Sequence, residues 1–117
     1  MAVAPAHLAA ARDLFAPLGK ITTRPMMGGA ILYAAGRIFA AIMGDEGVFL
    51  RARGALAARL AAEGARQFVW TRPSDGKRSR MRYWSLPEAA LDDRQAACEW
   101  ARAALEAGGE EGGAHGA

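Results

Sequence analysis

The residues able to do chemistry in this chain are few and scattered. There are two histidines, His7 near the start and His115 near the end. Neither has a sequence neighbour suited to act with it as nucleophile or ligand. The single cysteine, Cys98, lies in an expected helix, with Arg94 and Arg102 each one turn away. Flanking cations can lower a thiol pKa, but a packed, unreactive thiol is the expectation. One cysteine excludes an intramolecular disulfide, and zinc would need ligands this pattern does not supply. The carboxylates are placed for structure. Asp92-Asp93 opens a helix, where it can cap free N–H groups and complement the dipole. Asp45-Glu46 falls in a turn between strands. General acid–base work needs an apolar pocket or a charged neighbour to move a pKa, and no such pattern surrounds either pair. Gly28-Gly29 lacks the Gly-Lys-Ser/Thr ending of a phosphate loop and leads into a strand, so it reads as a tight corner or bulge. Met26-Met27 reads as core filling. The expectation is no catalytic residue, no metal and no cofactor.

One constellation has functional character. Trp70, Tyr83 and Trp84 lie close in sequence to Arg72, Lys77, Arg78, Arg80 and Arg82, with Asp75 as the only nearby acid. Aromatics beside arginines can stack bases or anchor a protein partner, and a basic cluster attracts nucleic acid or an acidic surface. The same residues also suit a solvated hairpin whose aromatics pack under helices. Strand alternation puts Met81 and Tyr83 on one face and Arg80, Arg82 and Trp84 on the other. Arg24 stands apart, placed to clamp the Pro25 to Gly29 corner or a carboxylate.

The elements that must position these residues follow from periodicity and punctuation. Leu8, Ala11, Phe15 and Leu18 recur at helical spacing, so a helix is expected over 5–18, with Pro17 straining its last turn. Residues 20–24 favour a strand that Pro25 ends or confines to an edge. Strands over 30–34 and 37–43 form a hairpin around Ala35-Gly36, and the second has large apolar residues on both faces, as a central strand does. A strand over 48–53 and a short helix over 54–64 follow, with Leu56 and Leu60 inward and Arg59 able to pair with Glu63. Strands over 67–71 and 80–84 flank turn chemistry at Arg72 to Lys77. A last helix carries Ala97, Trp100, Ala101, Ala104 and Leu105, and the glycine-rich acidic segment 108–117 is expected to be a flexible tail. The fold class is α+β: a two-layer domain over 1–107, an antiparallel sheet of about five to six strands with N-terminal, middle and C-terminal helices.

Length and composition agree. The chain has 117 residues, 52% of them hydrophobic, enough for one core. Neither a secretory signal nor a run of about 20 apolar residues is visible, so a cytoplasmic protein with no membrane contact is expected. Residues 1–91 carry 13 basic and 6 acidic side chains, whereas 92–117 carry 2 and 6. The positive excess therefore lies with the sheet, densest in the hairpin.

Several motifs together resemble a known family. They are Arg24-Pro25-Met26-Met27-Gly28-Gly29 followed by Tyr33, then Gly36-Arg37-Ile38-Phe39-Ala40, then Leu50-Arg51. Tyr83-Trp84-Ser85-Leu86-Pro87, Leu91-Asp92-Asp93 and a late Trp100 with Ala104 and Leu105 follow in order. The order is similar to that of the N-terminal domain of the TfoX (Sxy) competence regulators, with Met27 where the family usually has phenylalanine. The resemblance spans residues 8–106. It implies an α+β fold similar to secretion-chaperone-like domains and a bacterial regulatory setting, and it supplies no catalytic residue. Regulators of this type carry a second, C-terminal domain; this chain reads as a stand-alone member.

Three functions remain in order of expectation. The first is a non-enzymatic regulatory or protein-interaction module with a protein partner or a second copy of itself, in which transcriptional co-regulation of DNA uptake is possible. The second is a nucleic-acid binder using hairpin 70–84. The third is a small-ligand binder or enzyme, which would need a deep cavity near Arg24 and Tyr33.

Overall fold

The computed structural model describes residues 5–26 and 28–112. Met27, His115 and the last part of the expected tail lie outside the described residues. The elements are α1 (Pro5–Leu14), β1 (Ile21–Met26), β2 (Gly29–Ala34), β3 (Arg37–Ile42), β4 (Val48–Arg51), α2 (Gly54–Ala62), β5 (Gln67–Thr71), β6 (Arg78–Ser85) and α3 (Arg94–Gly112). The six strands form one antiparallel sheet in the order β1-β2-β3-β4-β6-β5. The expected α+β architecture is therefore present, with six strands and the helices in the expected places.

Two boundaries differ from expectation. The first helix stops at Leu14, and Ala16–Leu18 forms a separate 3₁₀ turn. Pro17 has no N–H, and its ring would strike the carbonyl one turn back, so the α-helix cannot continue through it. The last helix runs on to Gly112, past the point where a tail was expected to begin. Pro25 behaves as its chemistry requires, sitting in β1 at the outer edge of the sheet.

The β2–β3 hairpin turns through Ala35 and Gly36 with φ of 53° and 78°. Positive φ at both positions gives a primed turn whose twist matches that of the strands. The ladder then slips: Tyr33 faces Ile38 while Leu32 faces Ala40, leaving Phe39 as an extra residue. This bulge lets consecutive residues Phe39 and Ala40 both enter the helix-side core, where each is fully buried. Phe39 receives the ring of Phe15 edge-on, with centroids 5.0 Å apart.

The helices cover one face of the sheet. Leu32, Ile42, Leu50, Leu60 and Ala97, Ala101 and Ala104 of α3 make up much of that core. The small residues of α3 let the helix axis lie close to β3 and β4. A second, smaller cluster occupies the opposite face, where Ala41, Met43, Phe49 and Tyr83 are buried with Met26, Phe68 and Met81 around them. Phe68 meets Phe49 edge-on at 5.4 Å, and the Arg66 guanidinium lies 5.1 Å over the same ring. The β3–β4 centre is thus apolar on both sides, as the composition of β3 requires.

Candidate interaction surface

β5 and β6 form the end of the sheet, with β5 as its outer edge. The turn between them is built by Asp75. Its carboxylate accepts from the Lys77 N–H at 2.9 Å and pairs with Arg72 at 3.3 Å, while Gly76 takes a φ of 73°. Register pairs Thr71 with Arg78, Trp70 with Ser79 and Val69 with Arg80. It then slips, so that Gln67 faces Trp84. The Gln67 amide donates to the Met81 carbonyl at 2.9 Å, giving that group a partner within the irregular stretch.

Alternation along β6 holds as expected, and its consequence changes along the strand. Trp84 pairs with Leu50 and packs on the helix-side core, half-buried. Arg82, Arg80 and Arg78 share its face by alternation but lie beyond the helices, exposed. Trp84 therefore does not join the arginines in a solvent-facing surface. Tyr83 is buried on the opposite face, not under the helices. Its phenol is pushed above the ordinary value of 10.0, mainly by burial, with Arg51 pulling it down and Tyr33 pushing it up. Trp70, on β5, is half-buried and pairs with Ser79, so it lies on the Tyr83 face, across the sheet from the arginines.

The cations themselves are exposed. Arg72 is held by Asp75, and Arg66 at the base of β5 sits 3.6 Å from Glu46. Among the described residues, no carboxylate lies in ion-pair range of Lys77, Arg78, Arg80 or Arg82. Four uncompensated positive charges therefore stand beside an edge strand of sequence Gln-Phe-Val-Trp-Thr.

The other expected residues have structural places. Gly28 takes a φ of 79° in the β1–β2 turn, and a Cβ on Gly29 would stand 2.0 Å from the Ile42 carbonyl oxygen. The glycine pair is a corner that lets two strands approach. Arg24 is exposed on β1 opposite Ile31, in ion-pair range of no carboxylate among the described residues. Tyr33 is half-buried, Phe39 is core, and the Pro87 carbonyl accepts from Ala90 to open the 3₁₀ turn Glu88–Ala90. Trp100 is covered by the Arg59 guanidinium at 5.1 Å, so Arg59 turns to the indole and not to Glu63. Cys98 is buried and its thiol faces the Leu14 carbonyl at 3.7 Å. Burial raises its pKa, against smaller lowering effects of Arg102 and a backbone hydrogen bond from Leu18.

Two features escaped the sequence reading. Arg94 reaches back to α1, donating to the Asp13 carboxylate at 2.6 Å and to the Asp13 carbonyl at 3.1 Å. Nothing in local spacing signals a contact between residues so far apart. A groove of about 990 Å³ opens between α1, the 44–47 turn and the start of α3, lined by His7, Leu14, Ile42, Val48, Leu91 and Asp92 among others. It lies away from Arg24 and Tyr33, where a small-ligand binder was expected to place its cavity. Leu91, 51% exposed, is its clearest outward sign.

These features define an α+β domain whose most distinctive surface is a basic strand edge. The chain belongs to the TfoX N-terminal domain family, whose model matches residues 13–108. Comparison with curated proteins gives no match. Among the described residues, no helix is long and apolar enough to cross a membrane.

Proposed function

We propose that this chain is a non-enzymatic protein-interaction module of regulatory type, similar in role to the competence regulators for which its family is named. The observation that carries this reading is the uncompensated basic hairpin at an open sheet edge. Positive charge without local partners steers an acidic surface, and a rigid edge beside it offers a place to dock. Family membership supports the regulatory setting. The chemistry-bearing residues support a non-enzymatic role, since Cys98 is packed away and Asp93 is used as a helix cap.

Nucleic-acid binding by the same hairpin is less well supported. Base stacking needs exposed aromatic faces, and Tyr83 and Trp84 are turned into the two apolar clusters. Affinity capture from the host tests the interaction reading. The bait is the full chain and the control is its Arg78→Glu/Arg80→Glu variant. A protein retained by the first and lost from the second, with retention falling as salt rises, is the expected result. Absence of any protein retained specifically by the full chain over bare resin would end this reading.

A further inference from the structure

We infer that the β5 edge accepts an extended segment of another protein, one that alternates acidic and large apolar residues, as a seventh strand. This deepens the interaction reading and rests on it. The two edges of the sheet differ. β1 carries Pro25, a residue that blunts an edge because it cannot donate to an added strand. β5, Gln67–Thr71, carries no proline and no charge of its own, and every one of its residues but Thr71 is half-buried while still open on one side. Its backbone has a neighbour only on the β6 side.

The side chains around this edge select the occupant. Register puts Phe68 and Trp70 on the face opposite the helices and Val69 and Thr71 on the other. An added strand would lie one ladder spacing beyond β5, so about 9–10 Å from β6. Arg80 stands behind Val69 and Arg78 behind Thr71, both small enough for an arginine to reach across. Acidic side chains at alternate positions of the incoming strand would meet these two cations. The intervening positions would face Phe68 and Trp70, where apolar side chains bury area. Alternating chemistry is thus demanded by the pleat itself.

A second copy of this chain fits poorly. Antiparallel self-pairing centred on Val69 would bring Arg66 opposite Arg72 and set Arg80 of each copy across the same face. Like charges facing each other across a ladder are destabilising.

The test uses the full chain and a short fluorescent peptide alternating glutamate with valine and phenylalanine. Its lysine-for-glutamate counterpart and a labelled oligothymidylate serve as comparisons. The acidic peptide is expected to bind saturably, to slow amide hydrogen exchange at 67–71, and to weaken about tenfold or more with Arg78→Glu/Arg80→Glu. Both substituted positions are exposed, so folding is expected to survive and is checked by a thermal melt. Val69→Pro, a backbone change, should also weaken binding. Failure of the acidic peptide to bind, or equal binding by the charge-reversed variant, overturns the assignment. Tighter binding of the oligothymidylate to the same arginines overturns it in favour of nucleic acid. Concentration-dependent dimerisation with protection at 67–71 overturns it in favour of a second copy. A captured cellular partner that protects a different surface, the groove beside Leu91 for example, overturns the β5 assignment and leaves the interaction reading intact.

Discussion

Gly29 has no room for a side chain. Replacing it with alanine would drive a methyl group into the Ile42 carbonyl, which belongs to the backbone of β3 and cannot swing aside. Gly29→Ala is expected to lower stability by about 2 kcal/mol or more, measured as a fall in the urea midpoint. Cys98 and Tyr83 make a second residue-scale prediction, for alkaline pH. Both are held neutral in the fold by burial, so their folded pKa values exceed the unfolded ones. The native state then binds more protons, and stability falls as pH rises. The loss should begin near the unfolded thiol value of 9.0 and steepen beyond the phenol value of 10.0, continuing through the raised folded values. Urea midpoints measured from neutral to strongly alkaline pH would show it, and Tyr83→Phe should blunt the upper part. A flat profile would contradict the burial argument. The same burial predicts slow reaction of Cys98 with a thiol reagent in the native protein and fast reaction in urea.

At the scale of elements, α3 is anchored at its start in two ways of unequal worth. The Asp93 carboxylate accepts from the Ala96 N–H at 3.1 Å, an N-cap bond. Asp93→Ala should cost about 1 kcal/mol. The Arg94–Asp13 pair is geometrically better, but both side chains are more than half exposed, so screening by water and ions leaves it the weaker of the two. Arg94→Ala is expected to shift the thermal midpoint less than Asp93→Ala. The elements themselves were largely legible in the sequence, because strand alternation, Gly and Pro punctuation and the helical stripe of α3 are local signals. The central place of β3 followed from residue chemistry alone, and Pro25 narrowed β1 to a strand that ends there or lies at an edge, of which the sheet order selects the edge. What alternation could not show was the position of the helix layer. Trp84 and Arg80 share a face of one strand, yet one packs half-buried against the core and the other stands in water, since the helices cover only part of that face. The bulge at Phe39 was equally hidden, because it depends on what Phe15 packs against. The basic hairpin was visible as charge, while its edge position required the sheet order.

For the whole molecule, charge and topology oppose each other. An open apolar edge invites self-association, and the uncompensated cations beside it resist that. Arg78→Ser/Arg80→Ser should therefore raise the tendency to self-associate, and so should about 1 M salt, where the screening length is only about 3 Å. Sedimentation velocity across a concentration series would detect either change. An unchanged sedimentation profile under both conditions would show that those cations do not keep copies apart.

The half-buried indole of Trp70 gives the protein its own optical probe. It lies on β5 itself, whereas Trp84 and Trp100 are packed against the core. A guest seated along β5 would dehydrate this ring and blue-shift its emission, while the other two tryptophans would hold a constant background. Occupancy could then be followed by intrinsic fluorescence, without a dye on either molecule.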